Sequence, residues 1–366
     1  MRGYITFLSE EIGVDEVKTV AIFQSDLKVG GIQKSLVNLL AMLPSEEFEI
    51  DVFLFDNVVF YDLSEIGDNV HFYFLKPYIY WNRFVYFGLI RLFHQKKLSD
   101  KIYDLAIDFN SYRNECAVGA LSVSASKRVM WIHNDVSIKK KEEPKYRILT
   151  HFFEGKYRYF DEFVAVSAGI VEPFAHETGV DPSKIRVVPN FINANEIHRK
   201  VLTPIAFQVN PAEYNLVSMG RLCHQKGFDI LLKEFSQVID QRKDIHPYLI
   251  GDGPERERLL AQAANLNIES FVTFLGNQEN PFPYLAKMDG FILDSRYEGQ
   301  GMVLWEAKAV GLTLFLPRRL EKYNDGLSGC DNIVDSLIKA QKTERKLSSL
   351  TEYNQKALFG IQSLFK

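Results

Sequence analysis

The chain has 366 residues, 46% of them hydrophobic and 25% charged, with a formal net charge of -4. That length favours two domains over one, and that balance supplies real hydrophobic cores. The charge excludes a global basic field of the kind that marks nucleic-acid binding, so no nucleic acid is expected as a partner.

The opening stretch "MRGYITFLSEEIGVDEVKTV" is interrupted by acids and carries no long apolar core, so it reads as neither signal peptide nor anchor. No apolar run reaches the roughly 20 residues of a spanning helix. Cys116, Cys223 and Cys330 are odd in number, far apart and without metal-ligand spacing, which fits a reducing cytoplasm. "TVAIFQS" (19–25) is a predicted buried strand and "GGIQKSLVNLLAML" (30–43) a glycine-opened helix. Further strands are predicted at 48–56, 70–75, 103–109, 127–133 and 160–167. Continuous apolar strands separated by helices argue for a parallel sheet covered on both faces. Residues 193–214 carry two prolines and little periodicity, and read as an inter-domain linker. The alternation then restarts, with strands at 215–220, 272–276, 290–295 and 311–317 and a helix at 226–239. Residues 246–266 give strand, glycine turn and helix, and 347–365 has helical spacing. The expected division is 1–195, 196–345 and a last helix in 346–366.

In open α/β sheets ligands sit beyond the carboxyl ends of the strands, so the strand ends were searched for chemistry. Gly30 and Gly31 follow the first strand and open a helix, which permits close backbone approach and favours an anion, or is a plain tight turn. His133 ends "RVMWIHND" and is either a donor to a hydroxyl or a satisfied buried histidine. Arg221 and Lys226 in "GRLCHQKG" suit a diphosphate, the guanidinium by forking and the ammonium as a point charge. "GDGPERERLL" (251–260) lacks the Lys-Ser/Thr of a phosphate loop and reads as a turn lining a pocket.

"RYEGQGMVLWEAKAVG" (296–311) places Glu298 in a loop and Glu306 about one turn into the following helix. A diphosphate can meet the N–H groups of Gly299, Gln300, Gly301, Met302 and Val303, with one carboxylate on either side for hydroxyls. That suits a sugar–diphosphate–ribose ligand better than hydrolysis, where two carboxyls flank one bond and an Arg/Lys pair adds nothing. Gln300 and Met302 are the first positions expected to bear on donor choice.

Taken in order, "GGIQKSLVNLL", "WIHND", "VAVSAGI", "IRVVPN", "GRLCHQKG", "LIGDGPE", "VTFLG" and "YEGQGMVLWEAKAVG" resemble the landmarks of a retaining GT-B glycosyltransferase, specifically family four. The resemblance covers most of the chain. It implies two Rossmann-like, doubly wound α/β domains facing a central cleft. The first would bind the acceptor and the second the nucleotide sugar, and the last helix would cross back. It implies Glu298 on the donor sugar, Glu306 on the ribose, Arg221 and Lys226 on the diphosphate, and His133 near the sugar. The Gly30-Gly31 loop would approach the phosphate. Phe274, Asn277 and Gln278 would line the base site, mainly through backbone. The cosubstrate would be a UDP-sugar, with no cofactor and no metal. The product would be cell-surface polysaccharide, and "EGQGM" is similar to a bacterial surface-polysaccharide subgroup. Phe191 stands where a glycine is common, and 316–334 departs from the usual small-residue segment. A catalytically silent partner subunit of a protein glycosylation complex keeps the same fold. An epimerase or phosphorylase shares the architecture, though no pyridoxal-phosphate lysine motif is seen.

The acceptor side is read from "KPYIYWNRFVYFGLIRLFHQKK" (76–97), where aromatics stand beside Arg83, Arg91, Lys96 and Lys97. It reads as an interfacial helix at anionic lipid on the inner membrane face, or as a core helix with a solvated basic end. "SIKKKEEPKYR" (137–147) adds a second basic run.

Overall fold

A computed structural model describes residues 17–75, 98–142 and 154–365. The aromatic and basic segment 76–97 lies outside these residues, as does the end of the second basic run.

The first seven strands are β1 (Lys18–Gln24), β2 (Phe48–Leu54), β3 (Val70–Phe74), β4 (Ile102–Asp108), β5 (Ser124–Ile132), β6 (Glu162–Ala165) and β7 (Ile185–Val187). They form one parallel sheet in the order β3-β2-β1-β4-β5-β6-β7. Between and after them lie helices α1 (Gly31–Met42), α2 (Asn114–Leu121), α3 (Val136–Glu142), α4 (Val171–Thr178) and α5 (Ala194–Val201). The interior of β1, from Val20 to Phe23, is buried without alternation, as expected of a strand covered on both faces.

β8 (Tyr214–Met219), β9 (Ile245–Ile250), β10 (Thr273–Gly276), β11 (Gly290–Ile292) and β12 (Thr313–Phe315) form a second parallel sheet, ordered β10-β9-β8-β11-β12. Its helices are α6 (Phe228–Gln241), α7 (Arg256–Asn265), α8 (Phe282–Leu285), α9 (Met302–Val310) and α10 (Ile333–Ile338). The result is two doubly wound parallel-sheet domains. In each sheet the strand order reverses once, between β1 and β4 and between β8 and β11, and those crevices are where such sheets bind ligands.

The segment 193–214, read as an irregular linker, opens with α5. The Asn193 side chain caps it by accepting from the Glu196 N–H at 3.0 Å, and Ala194, Ile197 and Val201 form its short apolar stripe against the core. The last helix, α11 (Thr351–Gln362), packs on the first sheet's side of the molecule. Asn354 accepts from Ile192 N–H and donates to Ile192 O, at 3.0 and 2.8 Å, and Lys127 Nζ donates to Leu364 O at 2.7 Å.

Candidate active site

The β8/β11 crevice is framed by two loops, 220–227 and 293–301. Arg296 binds them together. Its guanidinium forks onto Asp229 at 2.7 and 2.7 Å, and its backbone N–H donates to Gln225 O at 2.8 Å. Gly227 sits at φ +67, and a Cβ there would press closer than 3.0 Å to Asp294 O, so only glycine lets the loops meet. The consequence is a direct contact that the sequence places 72 residues apart, Lys226 Nζ to Glu298 Oε1 at 2.6 Å. Glu298 is only 4% exposed. Arg221 is exposed and has no ion-pair partner among the described residues.

Glu306 lies on α9, 9% exposed, and burial raises its carboxyl above the ordinary range. The fields of Lys34, Lys200 and Lys226 work against that rise, and Glu196 adds to it. Lys226 therefore acts on both carboxylates of the 298/306 pair. Lys34 and Lys200 hold Glu196 at 2.8 and 2.6 Å. The sequence reading missed Lys34, although it lies one turn after Gly31 on the glycine-opened helix.

From the first sheet, Gly30 hydrogen-bonds Tyr61 twice, its N–H donating to the hydroxyl at 3.0 Å and its O accepting at 2.9 Å. Tyr61 is pushed up to about 12, chiefly by burial, and feels the charge of Glu306. A Cβ at Gly31 would meet nothing within 4 Å, so space stands over the start of α1. The α1 dipole and its first-turn N–H groups favour an anion in that space.

His133 follows β5 and is 6% exposed. Its Nε2–H donates to Phe109 O at 3.0 Å, which leaves Nδ1 as an acceptor. Burial lowers its pKa to about 3, so the ring is neutral at working pH. Below pH 6.5 the unfolded chain binds a proton that the native ring refuses. Stability is therefore full above pH 6.5 and falls as the pH drops toward 3. Between pH 7 and pH 5 the loss is about 2 kcal/mol. Urea unfolding at the two pH values should show a smaller drop in His133→Gln than in the parent.

The loop 299–301 touches the first domain. Ser167 Oγ donates to Gly299 O at 2.5 Å, and a Cβ on Gly299 would press into the His133 carbonyl. Of the amides in this turn, Gly301 N–H is taken by Asn324 Oδ1 and Met302 N–H by Gln300 O, both at 3.0 Å. Val303 N–H has no acceptor among the described residues, which leaves it for an anion. Neither side chain expected to read the donor is turned to do so. Met302 is 9% exposed and packs in the large core cluster. The Gln300 amide is spent on Asn190 and Tyr353. Behind this turn is a cavity of about 700 Å³ lined by Gln300, Trp305, Ser167, Tyr323 and Tyr353. Neither Lys226 nor Glu298 lines it.

Phe274 is partly buried against the second core, Asn277 is exposed, and Gln278 Nε2 donates to Leu275 O at 2.7 Å. These side chains sit at the β10 edge, apart from the Lys226–Glu298 contact. Glu49, Asp51 and His71 bring ligand atoms within 4.8 Å of one another, but near the amino ends of β2 and β3. There Lys101 Nζ already lies 3.0 Å from both carboxylates.

Two family models match the chain, Glycosyltransferase Family 4 over residues 29–196 and Glycosyl transferases group 1 over residues 213–318. The chain is a GT-B glycosyltransferase of the family-four type. Among relatives, the N-acetylgalactosamine-N,N'-diacetylbacillosaminyl-diphospho-undecaprenol 4-alpha-N-acetylgalactosaminyltransferase of Campylobacter jejuni is 24% identical over 307 residues, 80% of this chain and 79% of that protein. Among solved structures, S. aureus TarM, in complex with fondaparinux, alpha-GlcNAc-glycerol and UDP, superposes with a TM-score of 0.63 at 12% identity, covering 95% of each chain. Anabaena HepE, in complex with UDP and glucose, gives 0.60 at 16% identity, covering 95% of this chain and 94% of that one. At these identities the two structures speak for the fold. In this glycosyltransferase the matched family segments carry Gly30, His133, Lys226 and Glu298 alike.

Proposed function

We propose that the protein transfers a sugar from UDP-sugar, with retention, to a saccharide or lipid-linked saccharide acceptor in cell-surface polysaccharide synthesis, such as capsule, exopolysaccharide or teichoic acid. The observation that carries this reading is the Lys226–Glu298 contact at the β8/β11 crevice, with Arg221 of the same loop free of any ion pair among the described residues and Glu306 eight residues after Glu298. A donor diphosphate would draw Lys226 from Glu298 and meet Arg221, Val303 N–H and the start of α1. Glu298, once released, accepts from hydroxyls of the donor sugar, and Glu306 from those of the ribose. The bond from the sugar's anomeric carbon to the phosphate breaks, and a bond from that carbon to the acceptor oxygen forms on the same face. The acceptor proton passes to the leaving phosphate. Fixed charge and helix dipoles stabilise that phosphate, and no step calls on a metal. Neutral His133 offers Nδ1 to a sugar hydroxyl. Closure of the two domains gates the reaction.

UDP in the TarM and HepE complexes supports the choice of nucleotide, and the Campylobacter relative's diphospho-undecaprenol substrate supports a lipid-linked acceptor. The aromatic and basic residues of 76–97 suit contact with anionic lipid at the cytoplasmic membrane face. Thermal shift with UDP, GDP and ADP tests the donor. UDP should raise the melting temperature most, and Glu306→Gln should weaken its binding about tenfold. No shift with any of the three, or unchanged affinity in Glu306→Gln, overturns the assignment.

A further inference from the structure

Gln300, in the "EGQGM" turn, has a clear occupation. Gln300 Oε1 accepts from the Asn190 N–H at 2.9 Å. Its Nε2 donates to the Tyr353 hydroxyl at 2.8 Å, and that hydroxyl donates to Asn190 O at 2.6 Å. The three groups close a ring of hydrogen bonds. Its members come from the donor turn, from the segment after β7 and from the last helix, α11. Each corner is braced. Tyr353 stacks on Trp305 of α9 with ring centroids 4.0 Å apart. Asn190 Oδ1 accepts from Ser35 Oγ, and the neighbouring Phe191 O accepts from Asn38 Nδ2 at 2.8 Å, both donors on α1. The ring therefore ties the turn that carries Glu298 to the helix that begins at Gly31. Those are the two elements that must converge on one donor. Tyr353 is 9% exposed and Asn190 6%, although Gln300 and Tyr353 also line the cavity behind the turn.

We propose that Gln300, with Asn190 and Tyr353, is a positioning unit that holds the donor turn in register with α1 across the cleft. It acts on the donor through Glu298 and the turn's amides rather than by touching it, and its coupling to the donor rests on the functional reading above. Gln300→Met keeps the length of the side chain and removes both bonds. Tyr353→Phe keeps the stack on Trp305 and removes only the hydroxyl. Hydrogen exchange reads the register, and titration with UDP reads its coupling to the site. Each variant should raise exchange at 298–304 and weaken UDP about tenfold. The double variant should be little worse than either single one, as for members of one unit. A simple packing role would leave Tyr353→Phe at the parent's UDP affinity. Exchange at 298–304 equal to the parent in both variants overturns the unit. Raised exchange with unchanged UDP affinity overturns its coupling to the donor. If the parent itself binds no UDP, the functional reading falls, and hydrogen exchange alone decides whether the unit exists.

Discussion

Lys226→Met is expected to lower transfer about a thousandfold. Loss of one pre-organised charge at a developing anion costs about two to three orders of magnitude in rate. In this protein the same ammonium also sits 2.6 Å from a glutamate that is 4% exposed. Removing it strands a buried carboxylate, and breaking such a pair costs about 3–5 kcal/mol when both partners are fully buried. The Lys226 side chain is 20% exposed, so water offsets part of that, and a loss of about 1–3 kcal/mol is the expectation. The two losses can be separated. Lys226→Met with Glu298→Gln should recover most of the melting temperature and none of the rate. Rate is followed as UDP released from the sugar nucleotide, and stability by calorimetry. A single variant with parental rate removes Lys226 from the mechanism.

Gly299→Ala is the second large effect. Here the added methyl meets backbone, the His133 carbonyl and the Asn134 Cα, all closer than 3.0 Å. Backbone cannot swing aside as a side-chain tip does, so the contact between the two domains has to open. The Ser167 bond to Gly299 O would break with it. UDP binding should weaken more than tenfold, and the radius of gyration from solution scattering should rise. Gly301→Ala is the control, because its methyl would meet only side-chain atoms at 3.0–3.1 Å. Similar behaviour of the two variants would remove the domain contact as the cause.

The readable parts of the molecule were those written locally. The unbroken apolar run of β1 announced a strand covered on both faces, and Gly30-Gly31 announced the start of α1. Lys226 and Glu298 were legible as strand-end residues, and their chemistry suggested a shared ligand. What stayed hidden was long-range. Gln300 and Asn190 are 110 residues apart, and nothing in either neighbourhood tells that the glutamine turns inward. β7 is three residues long, too short for a period-two pattern to show. Helix α5 has a stripe, Ala194, Ile197 and Val201, but it is only two turns long and runs straight into irregular residues with two prolines, which masked it. Lys34 was overlooked because its partner Glu196 lies 162 residues on, so its value appears only when the first sheet meets the linker helix.

The return of α11 to the first sheet has a mechanical meaning. The chain passes between the two sheets once after α5 and again before α11. The two crossings touch where Lys342 Nζ donates to Pro211 O at 2.9 Å, and such a pair would act as door hinges do rather than as a single string. Swivelling would be suppressed, leaving a swing about the line joining the crossings. On such an axis the residues near the crossings barely travel while those at the far lip of the cleft sweep widely. Tyr353 lies just past the second crossing and bonds Asn190 O at 2.6 Å, so the ring they form with Gln300 would lie close to such a pivot. A small rotation there would be magnified at the mouth of the cleft.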